Sequence, residues 1–344
     1  MDHPSKKRAS TVVDHRVDTA YETILDRTVL RTVGAAPWIV AQRNAAPARL
    51  SELLKLRPRE RNRAVATEPR FKTYALASYL LEAGEAAIPY DPSFALDLVR
   101  LARAVTVQVD PRTCGGLLAL TDLGAYALAW EANVQRVCGN LVAAIATLSR
   151  ARRVQERGGG DPDITARMDL LEASLRRDTG QYRSALNLLD RASEDLLSLG
   201  ENDLWTKAQI NRSNVFQVQE KFDQAAGILE ELLERTSRPD LLLCIRHNIA
   251  YLLAKSGQPR EAAICLNETR DLYSQFSAPL FNSRRLWVEG IVASDLGEDE
   301  RAGSLLENAG CDFEERGYGM DAALIRNELE RVRGRSVGQP PPRS

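Results

Sequence analysis

The sequence predicts an all-α fold built as an array of helix-turn-helix repeats, and three observations predict it. Apolar residues recur at spacings of three and four along almost the whole chain, the period of a buried helix face, and no stretch of four to eight residues sustains the alternation of a strand. A twelve-residue interval between two small residues occurs five times: Ala132 to Ala144, Ala173 to Ala185, Ser213 to Ala225, Ala250 to Ala262, and Gly290 to Ala302. Successive copies start 41, 40, 37 and 40 residues apart, a period that marks a repeat architecture.

Two further columns fix what each copy is. Five residues before the second small residue stands a turn glycine, Gly139, Gly180, Gly257 or Gly297, with Glu220 as the exception; four residues after it stands Leu148, Leu189, Leu229, Leu266 or Leu306. Helix axes approach closely only where facing side chains are small, so the paired small columns are the crossing points of two antiparallel helices. The leucine lies one turn further along the same face and fills the hollow beside the crossing. Glycine at the turn allows the left-handed backbone that ends the first helix within a short loop.

Taken in order, residues 1–15 read as a basic disordered tail and residues 16–70 as an N-terminal helical cap, with one helix over 17–33, a loop near Gly34 to Pro37 and one or two helices over 47–66. A repeat end needs such a cap to cover its apolar edge. An atypical sixth repeat comes first, with Ala83 and Ala95 twelve apart and Val99 in the leucine column; Asp91 followed by Pro92 is an N-cap followed by proline at the first helical position. Helix pairs are expected at 71–109, 117–156, 162–199, 202–236, 240–276 and 280–316, separated by breakers such as Gly158 to Pro162 and Arg238 to Asp240. A capping helix at 317–334 and a proline-rich disordered tail at 335–344 complete the chain.

Composition narrows the function classes. Hydrophobic residues at 44% and charged residues at 27% fit a folded soluble protein rather than a disordered one. The longest apolar runs, such as Leu241 to Ile245, fall far short of the roughly 20 residues that span a bilayer, and no apolar segment follows Lys6, Lys7 and Arg8 to make a signal peptide. The expected location is therefore the cytoplasm, with no membrane partner. Five dispersed cysteines, Cys114, Cys138, Cys244, Cys265 and Cys311, form neither a disulfide framework nor a zinc motif, so no metal is expected. Residues 1–70 hold 14 Lys plus Arg against 8 Asp plus Glu. Within them the cluster Lys55, Arg57, Arg59, Arg61 and Arg63 lacks interleaved aromatics or a recognition-helix pattern, which favours a solvated face over nucleic-acid contact.

The columns, together with Leu141, Tyr182 and Phe222 after the turn and Ala151, Ala192 and Ala309 further on, resemble the tetratricopeptide repeat. The stretches Pro69 to Ala102 and Ser283 to Leu324 resemble a group of bacterial tetratricopeptide-repeat proteins of unknown partner. The resemblance implies a right-handed superhelical α-solenoid that presents the first helix of each pair along a concave groove. It departs from the family in its period near 40 residues and in placing Pro259 and Asp299 where an aromatic belongs. The position after each small residue holds Asn133, Ser174, Asn214, Tyr251 and Ile291. Asparagine there, with Arg136, Arg167, Arg177, Lys207, Asn211 and Asn248 nearby, resembles the subset of the family that clamps a peptide carboxylate. Arginine grips a carboxylate through two parallel hydrogen bonds and asparagine offers a donor and an acceptor, so the expected partner is a protein or peptide, with an acidic segment the natural ligand. The same residues read more readily as an ordinary wet helix face. Tyr251, Trp287 and Ile291 form a second, apolar candidate that core packing also explains.

Catalysis finds little support in the sequence. His247 with Cys244 one turn away is the only imidazole–thiol pair on one helix face, and Gly158, Gly159 and Gly160 lack the strand and lysine of a phosphate loop. The expectation is a non-enzymatic interaction scaffold without a cofactor. The rival is the sensory or oligomerising part of a bacterial transcriptional regulator, for which residues 20–63 offer no tight-turn recognition helix.

Overall fold

A computed structural model describes residues 37–338, with side chains over 40–334, and within them sixteen α-helices, two single-turn 3-10 helices and no strand. The helices are α1 (Pro37–Lys55), α2 (Pro58–Thr67), α3 (Tyr74–Ala87), α4 (Pro92–Thr106), α5 (Leu117–Val137), α6 (Leu141–Gln155), α7 (Pro162–Asp178) and α8 (Tyr182–Ser198). They continue as α9 (Asn202–Val218), α10 (Phe222–Leu233), α11 (Pro239–Lys255), α12 (Pro259–Glu268), α13 (Arg270–Ser274), α14 (Pro279–Asp295), α15 (Asp299–Arg316) and α16 (Gly319–Gly338). The all-α repeat fold is the one the columns predict. The helix expected over 17–33 and the tail at 1–15 lie outside the described residues.

Sequence signals set the boundaries. Asp91 caps α4 by accepting from the Phe94 amide at 2.9 Å, with Pro92 in the first turn, and Asn140 caps α6 from the Ala143 amide at 3.2 Å. At the turns Gly139, Gly180, Gly257 and Gly297 all have positive φ, and so does Glu220 at 58°, alone among the described non-glycine residues. Each turn closes by the same bond, from the third residue past the helix back five positions: Asn140 to Gln135, Gln181 to Arg176, Lys221 to Phe216, Gln258 to Leu253, and Glu298 to Ala293. This is the Schellman closure, and Glu220 follows it without a glycine.

All ten residues of the small columns are buried, as are the five leucines. Two copies show how close the crossing is. Ser213 donates its hydroxyl to the Ala225 carbonyl at 2.9 Å, bonding the two columns directly. A Cβ placed on Gly290 would stand 2.7 Å from Leu306 Cγ, so the leucine occupies the space that the missing side chain leaves.

The chain forms two compact units. Unit 1 holds the described residues through Arg136 together with Asn140–Leu175, and unit 2 holds Val137–Gly139 and the residues from Arg176 onward. In unit 1, α1 packs against α3 and α2 against α4, with Ala46, Leu50 and Leu53 of α1 buried. The helix begins at Pro37, ten residues before the one expected at 47, and runs through Pro47 without a break. A proline that reads as a start in sequence is here interior, and the buried face of α1 outweighs the backbone bond it removes. At the other end α16 continues to Gly338, past the expected end at 334.

Candidate functional site

The first helices of the repeats carry the expected groove residues, and each unit holds its own set. In unit 1, Asn133 on α5 is buried, and its Oδ1 accepts from Arg136 Nε and Nη2 at 3.1 and 3.0 Å. Arg167 on α7 is buried too, with Nε donating to both Asp163 oxygens at 3.0 Å. These side chains are partnered one turn away on their own helix. The geometry binds them locally first.

A buried carboxyl that the sequence reading passed over lies in the same unit. Glu82 on α3 is 7% exposed, and its burial outweighs the Ser78 hydroxyl, which favours the ionised form. Burial and the nearby Glu85 raise its pKa to about 8, against the pull of Arg167 and Arg43. Nothing in the local sequence distinguishes Glu82 from a solvated acid.

The glycine-rich loop has a filled cradle. Asp122 on α5 accepts from the Gly159 amide at 2.9 Å, and the neighbouring amides of Gly160 and Asp161 favour its ionised form. The amides that could face a phosphate already hold an internal carboxylate. Asp161 then caps α7 through the Asp163 amide at 2.9 Å.

In unit 2, Asn248 Nδ2 on α11 donates to Asn214 Oδ1 on α9 at 3.1 Å, joining two of the expected groove residues across adjacent first helices. Lys207 and Asn211 lie on α9 in the same stretch, both half-buried. Arg177 pairs with its neighbour Asp178 at 2.7 Å. The sequence reading missed Arg284 on α14, which pairs with Asp321 at 3.1 Å. Arg284 stands six residues before Gly290, just as Arg167 and Lys207 stand six before Ala173 and Ser213, so the column was legible in the repeat register.

The apolar candidate is core. Trp287 is 8% exposed and Ile291 is fully buried; Trp287 meets Tyr251 edge-on at 6.0 Å and Phe313 at 6.3 Å, and Phe313 in turn meets Tyr318. Such ring chains belong to interior packing. His247 Nδ1 lies 2.6 Å from the Tyr273 hydroxyl. Burial, with the Arg284 charge, lowers His247 to about 3, and burial raises the Cys244 thiol. Imidazolium and thiolate are both disfavoured there, which leaves no activated nucleophile. Among the described residues no group of His, Cys, Asp and Glu is placed to hold a metal ion, and no helix is long and apolar enough to cross a membrane.

Comparison with solved structures places this geometry. One neighbour is a Rap protein complexed with competence and sporulation factor, with TM-score 0.54 and 13% identity, covering 96% of each chain. The fold is similar to that of the Rap proteins. A second neighbour, aspartyl phosphate phosphatase F from Bacillus subtilis, has TM-score 0.51 and 12% identity over 97% of this chain and 95% of that one. At these identities the Rap-like similarity is one of fold. No family model matches the sequence, and no curated protein matches it.

Proposed function

We propose that the chain is a non-enzymatic interaction scaffold that takes an extended acidic segment of a protein or peptide along the first-helix face of unit 2. The observation that carries this reading is the Asn214–Asn248 bond, which sets two amides in register on adjacent helices with Lys207 and Arg284 in one repeat column. Paired amides can hold an extended backbone through their free donors and acceptors, and the flanking cations match carboxylates. The Rap-like fold supports a binding role, since one such structure is complexed with a factor. The neighbour named a phosphatase raises the enzymatic alternative. Against it, burial makes His247 a far weaker base than an ordinary imidazole, and its Nδ1 is engaged with the Tyr273 hydroxyl.

The test compares capture by the native chain and by a variant carrying Asn214→Ala and Lys207→Ala, in bacterial lysate at two salt concentrations. Partners held by the native chain at moderate salt are expected to be lost from the variant. An unchanged set would overturn the reading, and loss with salt alone would reduce it to non-specific attraction.

A further inference from the structure

Arginines from two helices of unit 1, Arg100 and Arg103 on α4 and Arg150 on α6, converge on one cleft. A cavity of about 740 Å³ lies between α2, α4, α5 and α6. Its lining joins the buried Leu128 and Val65 to the exposed Arg100 and Arg150 and the half-buried Arg103. Val107, 76% exposed, adds an apolar side chain to the same lining.

Charge in the cleft is unbalanced. The buried Glu131 serves two of these arginines, Arg100 at 3.0 Å and Arg103 at 3.5 Å. Arg150 has no acidic partner among the described residues. On α2 the lining residues are Asn62, Val65 and Ala66, so Arg59, three residues before Asn62, lies on the same face one turn away. Part of the basic run of α2 thus borders a concave site instead of forming only a solvated face.

We propose that this cleft binds an organic phosphate of about nucleotide size. Its volume falls in the usual range for small-ligand sites, roughly 300 to 1,000 Å³. Guanidinium groups bind phosphate oxygens in pairs, and the aliphatic wall takes the apolar body of the ligand. A single-stranded nucleic acid would want aromatic stacking platforms, and the cleft lining contains no aromatic residue. The site lies in unit 1, and the inference stands independently of the peptide reading in unit 2.

Titration calorimetry of the full chain with ATP, pyrophosphate and adenosine tests it. ATP is expected to bind saturably at one site, pyrophosphate to compete more weakly, and adenosine alone to bind at least tenfold less tightly than ATP. Arg150→Glu and, separately, Val107→Glu should each weaken ATP binding tenfold or more, with the melting temperature unchanged because both side chains are exposed. Absence of ATP and pyrophosphate binding at millimolar concentration overturns the proposal. So does ATP binding that neither variant weakens, or capture of an RNA oligonucleotide or acidic peptide that ATP fails to displace.

Discussion

Single residues in this chain depart from their neighbours where the backbone or the solvent makes the departure costly. Glu220 adopts the left-handed turn that glycine provides in the other copies. A side chain in that region costs about 1 kcal/mol relative to glycine. Glu220→Gly is therefore expected to raise stability by about 0.5 to 1 kcal/mol, read as a higher urea midpoint at unchanged slope. Glu82 departs through burial. Its folded pKa, about 8, lies above the unfolded value of 4.5. The contribution of its neutral form is complete below pH 4.5 and is lost as pH rises through 8. Glu82→Gln should flatten the stability profile over that interval, and a profile identical to the native one would refute the assignment.

At the scale of elements, the crossings and the loops carry most of the constraint. Ser213 and Ala225 are bonded at 2.9 Å, so the helices α9 and α10 have no room for a larger side chain between them. Ala225→Leu should overpack that crossing and cost roughly 1 to 3 kcal/mol in a denaturant melt. The loop before α7 is as tightly specified. A Cβ on Gly158 would fall 1.9 Å from Asp122 Oδ1. That carboxylate is buried and committed to loop amides, so it has little freedom to retreat. Gly158→Ala is expected to destabilise unit 1 by about 1 to 3 kcal/mol and to expose the Gly159 amide to hydrogen exchange. Retained protection at Gly159 would contradict the clasp.

Over the whole molecule, the two units should respond to pH in opposite senses. Unit 1 contains Glu82, whose stabilising contribution disappears as pH rises from about 4.5 to 8. Unit 2 contains His247, whose folded pKa of about 3 lies below its unfolded value of 6.5. The contribution of its neutral ring is full above pH 6.5 and is lost as pH falls toward 3. Amide exchange followed by mass spectrometry should show protection in unit 1 falling toward alkaline pH and protection in unit 2 falling toward acid pH, after correction for intrinsic exchange. Parallel loss in both units would mean that other groups control the pH response.

By itself the sequence determined the repeat, its register and the type of almost every element, because the crossing, the turn and the leucine hollow each demand a particular residue at a fixed spacing. It also determined which residues share a column, and hence that Asn133 and Asn214, or Lys207 and Arg284, occupy equivalent places. The tertiary structure decided what each column does. Asn133 is engaged by its own Arg136 whereas Asn214 is engaged by Asn248 from the next first helix, and equivalent sequence positions give no sign of that difference. Only the fold buried Glu82, filled the glycine loop with Asp122, and gathered Arg100 and Arg103 of α4 with Arg150 of α6 around one cavity. Periodicity reports which face of a helix is apolar. Desolvation and the convergence of charges depend on what packs against that face, and distant segments supply it.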